Sequence, residues 1–177
     1  MPSSNKTIRR LTASSFVRLV ANSQTPLKGV GGAIQQEILL RKRFFSLDEA
    51  SRFEVANLLS RQANDTARLL LGNVLRKDPS PLVRHEAAFA LGTIGKPESV
   101  EVLKNVLRQD ASALVRHEAA MALSEIGQIG DLPALQAGLK DRSREVAISC
   151  RVAISRIEQR EKGSTTGTRQ KHHSRLG

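Results

Sequence analysis

Two histidine–glutamate pairs, His85–Glu86 and His117–Glu118, are the residues of this chain whose types and spacing suit chemistry. They occupy the same place in two nearly identical stretches, LVRHEAAFALGTIG and LVRHEAAMALSEIG, which lie 32 positions apart. Neutral imidazole and carboxylate groups favour iron and similar divalent metals. Two His and one carboxylate are the ligand set of the non-haem iron(II) oxygenases, which leaves positions open for dioxygen. The two pairs therefore indicate a candidate metal site.

The elements that must position these pairs are repeated helices. A repeat of this length is typical of solenoids built from helix pairs. The second helices align as SRFEVANLLSRQ, VRHEAAFALGTI, VRHEAAMALSEI and VAISCRVAISRI, with apolar residues three and four positions apart. A helix over Ala33–Phe45 is expected to open the array. The sequence thus predicts an all-α solenoid of about four helix pairs, of which the first is degenerate.

The ends of the predicted helices carry recognisable signals. Each first helix leads into an Asp-x-Ser turn, whose acid or hydroxyl oxygen we expect to accept free N–H groups of the next helix. These turns begin at Asp78, Asp110 and Asp141. Gly95 and Gly127 are predicted to end their helices in the left-handed conformation.

The aligned second helices contain two columns that bear on the metal site. One column holds Phe53, His85, His117 and Ile148, and the next holds Glu54, Glu86, Glu118 and Ser149. Equivalent positions of neighbouring repeats lie side by side on one surface of a solenoid. We therefore expect two imidazoles and up to two carboxylates to project together. The alternative is that the pairs are solvated polar residues, copied with the repeat and without a role.

The distribution of charge divides the chain into three parts. The net charge of +11 comes mostly from residues 1–45, at +7, and from residues 161–177, at +3. We predict a basic flexible segment at 1–32, a repeat domain at 33–160 and a disordered basic tail at 161–177. The near-neutral core and the lack of an aromatic stacking platform argue against nucleic acid as a partner.

Several classes of protein are excluded by the same composition. No apolar run approaches the roughly 18 residues that a membrane-spanning helix needs. The single cysteine, Cys150, rules out an intramolecular disulfide and is predicted to be a small buried core residue in a reducing compartment. We therefore expect a cytoplasmic protein. The Arg- and Ser-rich, acid-free start of the chain is similar to a transit peptide, which makes mitochondria the alternative location.

The motifs VRHEAAFALG and VRHEAAMALSEIG resemble the His-Glu repeats of the deoxyhypusine hydroxylase family, whose members are HEAT-repeat di-iron oxygenases. SRFEVANLL resembles the preceding repeat of that family, and DRSREVAISCRVAISRIEQ resembles the repeat that closes its first half. Neither of these two carries the pair. The resemblance extends over about Leu47–Gln159, corresponds to one half of the enzyme and implies a HEAT-like α-solenoid.

The resemblance also implies an activity and roles for residues. The activity is hydroxylation of the deoxyhypusine side chain on the hypusine-containing translation factor by a monooxygenase that uses iron (Fe2+) and dioxygen. By position, His85, His117 and Glu118 would be metal ligands, and Glu86 would lie beside the substrate amine. The family has four His-Glu motifs and this chain has two, so a symmetric homodimer is the simplest supplier of the rest of a di-iron site.

Two other functions are compatible with the residues. The first is a non-enzymatic HEAT-repeat scaffold that binds another protein on its concave face. The second is a bilin-lyase-like HEAT protein that handles a partner carrying a tetrapyrrole, since the looser VR-x-x-A-x-x-A-L pattern is shared with such proteins. The hydroxylase hypothesis requires that His85, His117 and Glu118 meet at one point.

Overall fold

The structure, a computed structural model, describes residues 12–22, 30–62 and 64–173. This part of the chain is helical and contains no strand. The α-helices are α1 (Ala13–Asn22), α2 (Val30–Phe45), α3 (Glu49–Leu59), α4 (Asp65–Lys77), α5 (Pro81–Ile94), α6 (Val100–Gln109), α7 (Ala113–Ile126), α8 (Leu132–Gly138) and α9 (Arg144–His173). Short 3-10 turns precede α6 and α8, at Pro97–Ser99 and Ile129–Asp131. The prediction of an all-α protein is confirmed.

The helices stack in two layers, as a solenoid requires. The first helices of the repeats, α2, α4, α6 and α8, form one layer, and the second helices, α3, α5, α7 and α9, form the other. Each of α4, α6 and α8 packs against the second helix that follows it. The predicted all-α solenoid is confirmed, and α2 begins slightly before the predicted opening helix. At the start of the array, however, α3 packs mainly against α1 and not against α2.

The core is built from small and aliphatic side chains. On α5, Val83, Ala87 and Leu91 are fully buried, and their equivalents on α7 are buried in the same way. Gly92 lies where α5 approaches α7 most closely, because a Cβ atom there would stand 3.0 Å from both Cα and Cβ of Ala122. This close packing brings the side chains of the two helices within reach of one another across the repeat boundary.

The turns between the first and second helices are joined from repeat to repeat by ion pairs. An arginine early in each of three second helices donates two hydrogen bonds to the aspartate of the next turn, with distances of 2.7 to 3.2 Å. The pairs are Arg52–Asp78, Arg84–Asp110 and Arg116–Asp141. We call these three pairs the Arg–Asp rungs.

The aspartates of the Arg–Asp rungs also serve their own turns. Each one accepts the backbone N–H of the serine two residues on, at 2.9, 2.9 and 2.8 Å. The predicted acceptance of a free N–H group of the next helix is confirmed for Ser80, whose Oγ accepts the N–H of Val83 at 3.4 Å. The aspartates instead accept the N–H of the serine that precedes each helix. Their binding of arginine from the preceding repeat was not predicted.

The two glycines that follow α5 and α7 differ. Gly95 has a φ of 72° and ends α5 in the left-handed conformation, as predicted. Gly127 has a φ of −71° and a ψ of 158°, so the same prediction for α7 is wrong. Arg160 of α9 explains the difference, because its guanidinium donates to the carbonyl oxygens of Ser124 and, at 2.7 Å, of Gly127. The Arg160 side chain thus donates hydrogen bonds to carbonyl groups at the end of α7, which in a left-handed turn would accept backbone N–H groups instead.

The N-terminal boundary of the folded region lies earlier than predicted. Helix α1 falls inside the segment 1–32, which was expected to be flexible, yet Phe16 and Val20 are fully buried. The ring of Phe16 stands 6.0 Å from that of Phe44 in an edge-to-face arrangement. Apolar residues four positions apart give α1 a face that packs into the core. Residues 1–11 and 23–29 of the transit-peptide interpretation lie outside the described residues.

The C-terminal tail was predicted to be disordered from residue 161, but α9 continues as a helix to His173. The extension contains no proline, so no residue in it lacks the backbone N–H that a helix needs. Its glycines cost about 1 kcal/mol each relative to alanine, which does not end the helix here. Across the described ranges, no helix is long and apolar enough to span a bilayer.

Candidate metal centre

His85 and Glu118 are brought together by the packing of α5 against α7. His85 Nε2 lies 3.2 Å from Glu118 Oε2, and both side chains are mostly buried. The hydrogen bond to Glu118 raises the pKa of His85 above its ordinary value, and the charges of Glu118 and Glu86 act in the same direction against the opposing effect of burial. A histidine of one repeat thus contacts the glutamate column of the next repeat.

His117 makes the equivalent contact with a different kind of residue. Its Nδ1 lies 2.6 Å from Ser149 Oγ, and Ser149 is only 4% exposed. Ser149 also donates its hydroxyl proton to the carbonyl oxygen of Glu145, at 2.8 Å. Ser149 occupies in α9 the column that Glu118 occupies in α7, so each histidine contacts the same column of the following repeat, His85 through Nε2 and His117 through Nδ1.

Glu86 is buried on the other side of His85. It is 6% exposed, and Asn57 Nδ2 donates to its Oε1 at 2.7 Å. A buried carboxylate needs such hydrogen bonds to offset the loss of water. The residue that the resemblance assigns to a substrate amine therefore lies below the surface, held by a side chain of the preceding repeat.

An open groove of about 550 Å³ runs between α5 and α7 beside the pair His117–Glu118. Its lining combines two carboxylates, an imidazole and the apolar side chains of Phe89 and Met121. The lining residues are Phe89, Gly92, Thr93, His117, Glu118, Met121, Ala122 and Glu125. The groove therefore places negative charge next to apolar surface.

A larger groove of about 630 Å³ lies between α6 and α8, in the layer of first helices and away from the histidines. Lys104, its central cation, is bound by both Glu101 and Asp131. The charge of Lys104 is therefore balanced within this groove, and the predicted metal ligands lie on the second-helix layer instead.

The chemistry of the donor set fits a divalent metal, but the three predicted ligands are not gathered into one group. The structure pairs His85 with Glu118, while His117 is held at Nδ1 by Ser149. Among the residues that the structure describes, no group of three or more His, Cys, Asp and Glu is placed to hold a metal ion. The set of His85, His117 and Glu118 as metal ligands stays a prediction.

Two residues of the site were missed from the sequence. Ser149 stands in the glutamate column of the closing repeat, and its polar type in that column was the available signal. Asn57 stands in a column whose other members are Phe89, Met121 and Val152, so a lone polar residue in an apolar column pointed to a specific partner.

Cys150 lies next to Ser149 but takes no part in the site. It is fully buried, and burial raises the pKa of its thiol to about 11. The prediction that Cys150 is a small core residue is confirmed. A thiol with so high a pKa is a poor nucleophile near neutral pH.

Comparison with known proteins gives the same picture of the fold and the motifs. Residues 68–155 match the family of HEAT repeats. The chain is 43% identical over 113 residues to a deoxyhypusine hydroxylase of Schizosaccharomyces pombe, covering 63% of this chain and 35% of that protein. It is 41% identical over 85 residues to one of Cryptococcus neoformans, covering 46% of this chain and 24% of that protein. The structure of human deoxyhypusine hydroxylase in complex with glycerol is similar with a TM-score of 0.60 and 31% identity, over 76% of this chain and 46% of that chain.

The resemblance to deoxyhypusine hydroxylases and the HEAT-like nature of the solenoid are therefore confirmed. The chain spans about a third or less of the curated relatives it matches, and under half of the human structure. This partial coverage agrees with the prediction that the chain resembles one half of the full-length enzyme.

Proposed function

We propose that this chain is an iron- and dioxygen-dependent hydroxylase of the deoxyhypusine hydroxylase type, acting on the deoxyhypusine side chain of the hypusine-containing translation factor. The single observation that carries the proposal is the contact of His85 with Glu118 across the repeat boundary, at 3.2 Å. This contact joins an imidazole and a carboxylate within the stretch that is similar to deoxyhypusine hydroxylases.

In this proposal His85, His117 and Glu118 hold Fe2+, and the bound iron supplies the activation of dioxygen. The protein orients the donors. Ser149 holds the ring of His117 at Nδ1, so Nε2 is the nitrogen left to bind a metal. His85 Nε2 and Glu118 Oε2, which now contact one another, would both serve as ligands if that contact opened.

The substrate amine is proposed to bind the carboxylates beside the groove between α5 and α7. Glu86 would hold the positive charge, and Asn57 keeps the Glu86 carboxylate oriented by donating to one of its oxygens. The apolar walls of the groove, Phe89 and Met121, would pack against the aliphatic part of the side chain and exclude water from it. The protein thereby holds the carbon to be hydroxylated in a fixed place.

A second copy of the chain is proposed to complete a di-iron site. The chain carries two His-Glu pairs and is similar to less than half of the human enzyme. A symmetric homodimer would present the second-helix faces of two copies to one another, with each copy supplying one set of ligands. We further propose a cytoplasmic location, with mitochondria as the alternative raised by the basic, acid-free first residues.

The direct test is the metal content and the oligomeric mass of the full chain, purified without oxygen and supplied with Fe2+. We expect about one iron per chain, a dimer, and hydroxylation of a deoxyhypusine-bearing translation factor. His85→Ala and His117→Ala should each lose the iron, whereas His172→Ala, which removes a histidine outside the repeats, should keep it. Wild-type protein that binds no iron under these conditions would overturn the proposal.

A non-enzymatic scaffold is the second candidate, because the second-helix layer also exposes large apolar side chains. Phe89 is 46% exposed and Ile148 is 50% exposed, on either side of the histidines. Exposed apolar residues of this size on one face favour a protein partner. If His85→Ala and His117→Ala leave every property of the chain unchanged, including partner binding, the scaffold is the better account.

A further inference from the structure

From the contacts of Ser149 we infer that this residue is a positioning residue, which holds the neutral ring of His117 in the tautomer that carries its proton on Nδ1. The inference deepens the proposed function, on which its meaning for metal binding rests. The hydrogen bond itself concerns only residues of this chain and can be measured without a metal.

The direction of the hydrogen bond follows from counting protons. A serine hydroxyl has one proton, and a backbone carbonyl can only accept. The Ser149 proton is directed to the carbonyl oxygen of Glu145, at 2.8 Å. Towards His117 the same oxygen therefore offers a lone pair, so the proton in the 2.6 Å contact belongs to Nδ1 of the imidazole.

The surroundings of Ser149 keep it in this role. Ser149 is only 4% exposed, so water competes little for its hydroxyl group. The bond to Glu145 is the back-bond that serine makes to the carbonyl four residues earlier in a helix. The hydroxyl is thus fixed within helix α9 by the carbonyl of Glu145, and it orients the ring of His117, which belongs to α7 of the preceding repeat.

With the proton on Nδ1, the protonation state of the second ring nitrogen, Nε2, is also fixed. A neutral imidazole with its proton on Nδ1 has a lone pair on Nε2, and Nε2 faces away from Ser149. Metal-binding histidines almost always donate the other ring N–H to a fixed acceptor, which sets the tautomer and raises the basicity of the ligand atom. Ser149 supplies that acceptor here, in the column where the neighbouring repeat has Glu118.

The first arm of the test reads the tautomer directly in the metal-free full chain. Histidine labelled with nitrogen-15 is observed by long-range proton–nitrogen correlation, at a pH well above the ordinary pKa of histidine so that the ring is neutral. His117→Ala assigns the signals. In the wild type we expect a protonated Nδ1 and a lone-pair signal at Nε2. Ser149→Ala should shift both signals towards a mixture of tautomers, while the signals of His85 stay in place.

Two further variants separate the hydroxyl from general effects on folding. Ser149→Thr keeps a hydroxyl that can make the same two bonds, so we expect the wild-type pattern to return. Ser155→Ala removes another serine hydroxyl from α9, one that only accepts a bond from Gln159, and should leave His117 unchanged. A wild-type ring protonated on Nε2, or a Ser149→Ala spectrum identical to the wild type, would overturn the inference.

The second arm measures Fe2+ affinity without oxygen and tests the proposed function separately. Loss of an outer hydrogen-bond partner of a metal ligand typically weakens binding about 10–100-fold, which is the loss expected for Ser149→Ala and restored in Ser149→Thr. If the tautomer is as inferred and the wild type binds no iron, the positioning role stands and the proposed function falls. If iron binds with the proton of His117 on Nε2 in the metal-free chain, the function stands and the positioning role falls.

Discussion

The turn edge of the solenoid repeats one contact three times, whereas the second-helix face makes a different contact at each repeat. At the edge, each Arg–Asp rung has the same two hydrogen bonds between the same atom types. On the face, His85 meets a glutamate, His117 meets a serine, and Ile148 has replaced the histidine. Copied contacts hold neighbouring repeats in register, while the positions at which the contacts differ include the proposed metal ligands. Substitutions at the two regions should therefore change different properties of the protein.

The largest effect is expected from Glu118→Ala on the face. It removes the partner of His85 and a proposed metal ligand, so Fe2+ affinity and hydroxylation should fall by more than about 100-fold, beyond the range for an outer-shell residue. The free energy of unfolding should fall by about 1–3 kcal/mol, less than expected at the edge, because His85 loses a partly buried hydrogen bond. The measurements are anaerobic metal titration, product analysis and urea unfolding. Glu158→Ala, which removes an exposed carboxylate from α9, is the control. Iron affinity unchanged in Glu118→Ala would contradict the division between edge and face.

The opposite pattern is expected for Arg116→Ala at the edge. Arg116 and Asp141 are almost fully buried, and removal of one partner of a buried ion pair costs about 3–5 kcal/mol of unfolding free energy. Urea unfolding measures this loss, and Arg151→Ala, at an exposed position of α9, provides the comparison. At a temperature where Arg116→Ala stays folded, iron should still bind. A loss below about 0.5 kcal/mol would show that this rung does not stabilise the stack.

A smaller effect on the free energy of unfolding is expected at Gly92, where α5 packs closely against α7. Gly92→Ala places a Cβ 3.0 Å from the backbone of Ala122, and overpacking of this kind costs about 1–3 kcal/mol. Gly72→Ala meets only the end of Arg76, at 3.8 Å, and should stabilise α4 by about 0.5–1 kcal/mol through helix propensity. Thermal unfolding of both variants gives the comparison. Equal stabilisation by the two substitutions would mean that α5 and α7 are not closely packed at Gly92.

The smallest effect concerns the pH dependence of the edge. The hydrogen bond from Arg116 lowers the pKa of Asp141 below its usual 3.8, with the backbone N–H of Ser143 and nearby positive charges acting in the same direction. The resulting stabilisation is present above the pKa of the unfolded chain and is lost as the pH falls through the lower pKa of the folded state. Unfolding free energy measured from pH 6 down to about pH 2 should therefore fall less steeply in Asp141→Asn than in the wild type. If the two proteins lost stability equally steeply as the pH falls, Asp141 would not contribute to the acid sensitivity of the fold.

The sequence was sufficient for the solenoid because periodic apolar residues and repeated turns are local signals. It was not sufficient for contacts between residues far apart in the chain. The Arg–Asp rungs join residues 25 or 26 positions apart, and the end of α7 depends on Arg160, 33 positions after Gly127. The burial of Phe16 likewise depends on Phe44, which no local pattern in α1 indicates.

The same limit applies to the candidate metal centre. Aligning the repeats placed the histidine column beside the glutamate column, and the contact of His85 with Glu118 follows from that alignment. The alignment did not identify Ser149 as the partner of His117, because the role of a hydroxyl depends on its rotamer and on its second hydrogen bond. Whether three donors converge depends on the side-chain rotamers of residues on neighbouring helices, which spacing in the sequence does not determine.

The Arg–Asp rungs have a mechanical consequence for the second-helix face. Each bidentate ion pair joins a turn to the second helix of the preceding repeat, so it limits how far one repeat can rotate against the next. His85 and Glu118 belong to the two repeats that Arg84 and Asp110 join, so the distance between imidazole and carboxylate depends on that rotation.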